Sequence, residues 1–280
     1  HYVFYFPLSP VLPILVQFLH LGLLLTNTVR HREGPCGVVF SPVSLMEKMT
    51  KHLMIMDFDH TIVDGDANMH VMKLCSKLPA YPSCGTWLVY MNDIFKVMHQ
   101  EKVSKEKILR YLENIKLTRG MDSLFEFLVG NCSYEVIVLS DSNVLYIDHL
   151  LKHHGHREVF TNILSNPAQF DSEGRLNVEM YHEQNSCRSC ERNMCKSLAM
   201  KNYIKSREKD NIFFQSINYI GDGTNDLCPS LLLGENDYVF PRVGFSLHYL
   251  TKQNKNKIKA RVLSWRTGEE ILEALVANRA

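Results

Sequence analysis

The sequence carries almost no net charge. Its 31 Lys and Arg against 30 Asp and Glu leave a formal +1, and the basic residues are spread along the chain instead of forming the stripe that nucleic acid requires. Nucleic-acid binding is excluded as the main function, so an anionic ligand must be held by local geometry. Cysteine is sparse for a disulfide scaffold: eight in 280 residues, without dense regular spacing, which favours a reducing, cytoplasmic compartment. There is no internal repeat and no low-complexity tract. An uninterrupted membrane span is also missing. The first 26 residues are strongly apolar, but their densest part, residues 11–25, contains Pro13 and falls short of the roughly 20 residues a spanning helix needs. A secretory signal would need a basic start, which is lacking. Residues 1–50 are therefore read as an apolar extension and linker, poorly ordered and outside the fold, with membrane association as the alternative. The oligomeric state is left open.

What is present is a globular composition, 45% hydrophobic and 22% charged, with ample material for a core. Short apolar runs recur at residues 52–56, 134–139, 161–165, 216–220 and 237–240, continuous enough for strands buried on both faces. Helical patterns alternate with them, so the expected class is α/β with a Rossmann-like parallel sheet. Residues 66–117 break the alternation. Ile108, Leu109, Leu112 and Ile115 follow Ser104 as a helix cap, and Trp87, Ile94, Phe95 and Met98 mark an earlier helix. This segment is expected to be a helical cap inserted after the first strand, and residues 51–65 with 118–280 the core domain.

The polar residues with chemical potential begin where strands end: Asp57, Asp59 and Thr61 after the first, Ser140, Asp141 and Asn143 after the second, and "GDGTND", 221–226, after the fourth. A parallel sheet would bring these clusters to one edge, where open α/β folds bind ligands. Asp57, Asp59, Asp222 and Asp226 together call for a cation. Hard carboxylate oxygens suit Mg²⁺, and one carboxylate can then attack phosphorus while its neighbour handles protons. A lysine and a hydroxyl would still be needed to hold the phosphoryl oxygens.

Taken in order, "DFDHT", the strand-terminal Ser140 in "LSDSN", and "GDGTND" resemble the motifs of the haloacid dehalogenase superfamily of phosphatases. The resemblance implies Asp57 as nucleophile, Asp59 as acid and base whose carbonyl also binds metal, Asp222 as metal ligand, Asp226 and Thr61 as supports, Ser140 as phosphoryl holder, and Lys196 as the positive charge. From about Leu53 to Leu275, "ILSNPAQFDSEGRLNVEMYH" and "SCRSCERNMCK" are similar to the branch holding phosphoethanolamine/phosphocholine phosphatase and pyridoxal phosphate phosphatase, and nearer to the latter. That implies a Mg²⁺-dependent phosphomonoesterase acting on a small phosphorylated metabolite, pyridoxal 5'-phosphate first and phosphoethanolamine or phosphocholine second. Asn68 stands where the family commonly has a substrate-contacting Asp, which would weaken recognition of an ammonium group; Asp141 is retained. His60 stands where the branch usually has Glu or Asn, placing a titrating imidazole near the metal site.

Other readings stay open. Cys187, Cys190 and Cys195 with His182 match a zinc-binding pattern, against reduced thiols in a loop, while Cys228 is expected in the core. Arg242 either touches phosphate or holds a turn. A catalytically silent relative that binds metal or a partner is the alternative from another class.

Overall fold

The computed structural model describes residues 49–82 and 86–277, all within one compact unit, Val39–Ala280. The expectations for residues 1–48 lie outside the described residues. Strand β1, Met49–Met56, is followed by helices α1 (Ala67–Met72), α2 (Trp87–Gln100), α3 (Lys105–Leu112) and α4 (Met121–Val129). Then come β2 (Tyr134–Asn143), α5 (Val144–His153), β3 (Asn162–Asn166) and the hairpin β4 (Ala168–Phe170) and β5 (Leu176–Val178). The chain continues through α6 (Lys196–Lys209), β6 (Ile212–Gly221), α7 (Leu227–Ser230), β7 (Tyr238–Pro241), α8 (Ser246–Gln253), β8 (Arg261–Val262) and α9 (Gly268–Ala277).

Among the described residues, six strands form one parallel sheet in the order β3-β2-β1-β6-β7-β8. The Rossmann-like α/β expectation holds. All five expected strands are in this sheet; β8, two residues long, has too little apolar sequence to be legible. Leu53 to Met56 are fully buried because β1 is central and covered on both faces, which is why its sequence is continuously apolar. The chain builds outward from β1 to β2 and β3, then returns to place β6 on the other side. That reversal opens a crevice at the carboxyl ends of β1 and β6.

Between β1 and α4 the described residues form three helices, each capped as its sequence dictates: Asp66 Oδ1 accepts from Met69 N at 2.8 Å, Thr86 Oγ1 from Val89 N at 3.4 Å and Ser104 Oγ from Lys107 N at 3.2 Å. Their apolar faces join α4, α5 and one sheet face in a single hydrophobic cluster. Asn92 ties α2 to the hairpin, donating to Val178 O at 2.8 Å and accepting from Val178 N at 3.0 Å. On the opposite face, Arg207 grips the buried Glu135 of β2 with two hydrogen bonds of 2.8 Å, and Tyr203 adds a third. This clamp fixes the far end of α6 and so sets where Lys196, its first residue, meets the sheet edge. Leu198 is exposed, and Ala199 takes the buried position.

Candidate active site

β2, β1 and β6 are neighbours in the sheet, so their motif-bearing ends lie side by side. The ladder runs on past β1, with Asp57 N donating to Ile220 O at 2.9 Å. Asp57 is buried, and its Oδ2 lies 2.9 Å from Lys196 Nζ; the same ammonium sits 2.7 Å from Asp226 Oδ1. Lys196 has no exposed side-chain surface. Burial alone would lower its pKa, but Asp226 and Asp57 more than offset that and hold it above the ordinary value. The lysine is therefore a fixed cation.

Asp226 is fully engaged. Its Oδ1 also accepts from Tyr219 Oη at 2.6 Å, while Oδ2 accepts from the backbone N–H groups of Asp222 at 3.0 Å and Gly223 at 2.8 Å. A Cβ added to Gly221 would lie 2.5 Å from Asp226 Oδ2, so this close packing requires glycine there. Asp222 Oδ1 accepts from Thr61 Oγ1 at 3.0 Å. Asp59 lies on the other side: its Oδ1 accepts from Ala67 N at 2.8 Å, tying it to the start of α1. Ser140 is buried and accepts from Ser142 N at 3.3 Å, and Asp141 Oδ2 accepts from Asn225 Nδ2 at 2.8 Å, joining the β2 end to the β6 turn.

Charge is concentrated here. Asp57 is pushed well up, first by burial and then by Asp226, against Lys196. Asp59, though partly exposed, is enclosed enough that burial, then Asp66, push its carboxyl well above the usual range. Asp222 is pushed up to about 7, by burial and then by Asp226. Asp57, Asp222 and Asp226 offer oxygens within 4.8 Å of one another, a hard donor set that suits a divalent ion. Because both oxygens of Asp226 are occupied, it fits a supporting place better than direct ligation.

A pH dependence follows. A carboxyl whose folded pKa is raised contributes stability that is present below its unfolded value and lost as pH rises through its folded value. Without divalent metal, stability is expected to fall as pH rises from about 4 toward the Asp222 value of about 7. Urea unfolding at several pH values checks this. Added Mg²⁺ should restore more stability at the alkaline end, where it no longer competes with protons.

Several contributors were not legible as such. Arg242 donates to His60 O at 2.5 Å and to Asp64 Oδ1 at 2.8 Å and stacks on Phe245; the turn reading fits, and His60 is held at φ 55. Asn166 binds the carbonyls of Asp141 at 2.6 Å and Ser142 at 2.8 Å. Trp87 and Glu191 join Asn68 and Asp141 around an enclosed cavity of ≈ 20 Å³. Trp87 lies in no motif and Glu191 is not singled out within "SCRSCERNMCK"; only the fold makes them neighbours.

A family model described as "Putative Phosphatase" matches residues 52–278. The chain belongs to that phosphatase family. It is 35% identical over 236 residues to the mouse (Mus musculus) pyridoxal phosphate phosphatase PHOSPHO2, covering 80% of this chain and 97% of that protein. With the human (Homo sapiens) phosphoethanolamine/phosphocholine phosphatase it shares 34% over 233 residues, 79% of this chain and 86% of that one. A solved phosphoserine phosphatase bound to substrate superposes with a TM-score of 0.54 at 16% identity, over 80% of this chain and 98% of that one. The phosphatase thus has the expected haloacid dehalogenase fold. No described helix is long and apolar enough to cross a membrane.

Proposed function

We propose that this phosphatase is a Mg²⁺-dependent phosphomonoesterase that hydrolyses a small phosphorylated metabolite through an aspartyl-phosphate on Asp57. The observation that carries the reading is the buried Asp57–Lys196 contact of 2.9 Å at the carboxyl end of the central strand, beside Asp222. Asp57, Asp222 and the Asp59 carbonyl would hold Mg²⁺, which when bound neutralises charge on the phosphoryl oxygens. Lys196 and the Ser140 hydroxyl orient those oxygens. Asp57 attacks phosphorus in line as the ester P–O bond breaks, and Asp59, whose raised pKa keeps a proton available, gives that proton to the leaving alcohol. Asp59 then takes a proton from the water that cleaves the aspartyl-phosphate, releasing inorganic phosphate and restoring Asp57. Residues 66–117 act as the cap. The cavity of ≈ 20 Å³ has room for about one water, so substrate entry requires the cap helices to move.

Pyridoxal 5'-phosphate is the substrate we favour. Asn68 is nearly buried and neutral where it lines the cavity, and it offers no charge to an ammonium, while Trp87 provides an aromatic wall. Phosphoethanolamine or phosphocholine is the second reading, since Asp141 and Glu191 line the same cavity and an indole attracts cations. A cytoplasmic location is part of the proposal, supported by free thiols at Cys75, Cys187, Cys190, Cys195 and Cys228; Cys132, by contrast, is disulfide-bonded. The test is phosphate release from a panel of phosphomonoesters with and without Mg²⁺. We expect metal-dependent release, with kcat/KM for pyridoxal 5'-phosphate at least about 10-fold above phosphoethanolamine, a difference of about 1.4 kcal/mol. Asn68→Asp should narrow that ratio. A ratio that Asn68→Asp leaves unchanged removes Asn68 from the argument, and no release from any ester removes the reaction.

A further inference from the structure

Outside the phosphatase site lies a second set of converging ligand atoms. The sulfurs of Cys187, Cys190, Cys195 and Cys228 all lie within 4.8 Å of one another. Three come from the loop between β5 and α6, and the fourth from α7, directly behind the Asp222–Asp226 turn. The sequence pattern suggests His182 as a fourth partner. The structure instead uses its imidazole to accept from the backbone N–H of Cys195 at 2.9 Å. Cys228, expected to pack as a small apolar residue, faces the other three thiols.

We propose that these four cysteines bind one structural zinc ion as a tetrathiolate. The Cys187–Cys228 and Cys195–Cys228 sulfurs are 3.3 and 3.7 Å apart, close to the edge of about 3.8 Å that a tetrahedron with bonds of about 2.3 Å implies. All four donors are soft and none is oxygen, which selects zinc over Mg²⁺. With all four sulfurs within 4.8 Å of one another, their spacing suits a single ion.

The surroundings are those of a ligand site. Ser197 Oγ lies 2.6 Å from Cys228 Sγ, and the backbone N–H groups of Lys196 and Leu198 are directed at the sulfurs of Cys190 and Cys195. Such contacts stabilise thiolates and fix their directions. Gln184, nearly buried, organises the loop: its amide donates to the carbonyls of Cys187 at 3.2 Å, Cys190 at 3.0 Å and Glu191 at 2.9 Å, and its oxygen accepts from Cys187 N at 2.8 Å. The loop has few apolar anchors, so its shape depends on these polar contacts and on whatever joins the sulfurs.

Zinc here would bind together two segments that each deliver a residue to the phosphatase site. Cys195 immediately precedes Lys196, and Cys228 follows Asp226 by two residues. Binding is written Zn²⁺ plus four thiols giving the tetrathiolate and four protons, with no change of oxidation state.

The test uses the full chain, purified with zinc in every buffer and then dialysed against a weak chelator. Elemental analysis should find one zinc per chain, and four thiols should stay unreactive to a thiol reagent until zinc is stripped. Exchange with Co²⁺ should produce the intense visible absorption of tetrahedral cobalt thiolate. Cys228→Ser should lower zinc content at least tenfold while Cys75→Ser, remote from the cluster, leaves it unchanged. The cobalt spectrum of the unaltered chain decides the matter if the serine variant does not fold. Zinc-free protein with four reactive thiols overturns the proposal, as does iron in place of zinc or a chain two hydrogens lighter with Cys187 joined to Cys228. Asp57→Asn protein, inactive on the reading above, should keep its zinc, so either idea can fail alone.

Discussion

Replacing Asp57 by asparagine is expected to abolish turnover and phosphoenzyme formation while leaving the domain folded. The loss should be at least about 10⁴-fold in kcat, the scale seen when a covalent nucleophile is removed. Stability should not suffer, because Asp57 is one of three carboxylates crowded at the site, and its raised pKa shows that burial and Asp226 disfavour its charge. Lys196 keeps its 2.7 Å contact to Asp226 in the variant. Rapid-quench measurement of protein-bound phosphate with far-ultraviolet circular dichroism separates the outcomes. A folded variant that retains substantial turnover would remove Asp57 as nucleophile and with it the aspartyl-phosphate.

Lys196→Met is expected to cost both activity and stability, the opposite pattern. Lys196 is completely buried against Asp57 and Asp226, and removing one partner of a buried ionic group leaves the others uncompensated, at a typical cost of about 3–5 kcal/mol. The loss should depend on pH in a defined direction. Without the lysine, Asp57 loses the influence that lowers its pKa, so its folded pKa rises further. Stability carried by a raised carboxyl is retained in acid and lost as pH rises. The variant should therefore lie nearest to the unaltered chain near pH 5 and furthest at neutral pH without Mg²⁺, as read from urea midpoints. A variant equally stable at both would place Lys196 outside the electrostatic balance of the site. Asp226→Asn added to Lys196→Met should recover part of the stability, because it withdraws one of the stranded charges.

Much of the site was legible because its chemistry is written in short segments. "DFDHT", "LSDSN" and "GDGTND" each sit at the end of a run too apolar for anything but a buried strand, and strand ends are where a parallel sheet presents side chains. Residues whose importance comes from long-range neighbours were not legible. Tyr219 reads as one more apolar strand residue, yet its hydroxyl bonds Asp226. Arg242 lies far along the chain from the His60 carbonyl it holds. Cys228 looks like a core residue until the fold sets it beside three thiols contributed by another loop.

By itself, the sequence determined the class of fold, the strand ends where catalysis could occur, and the helical nature of residues 87–112, since these depend on periodicity and local polarity. Only the tertiary structure decided that β2, β1 and β6 are neighbours, that Lys196 and not another lysine of its helix meets Asp57, and that Cys228 completes the sulfur cluster. The physical reason is that strand order and helix placement follow from packing the whole core and from contacts such as Glu135 with Arg207, which pair residues remote in the chain and leave no local signature.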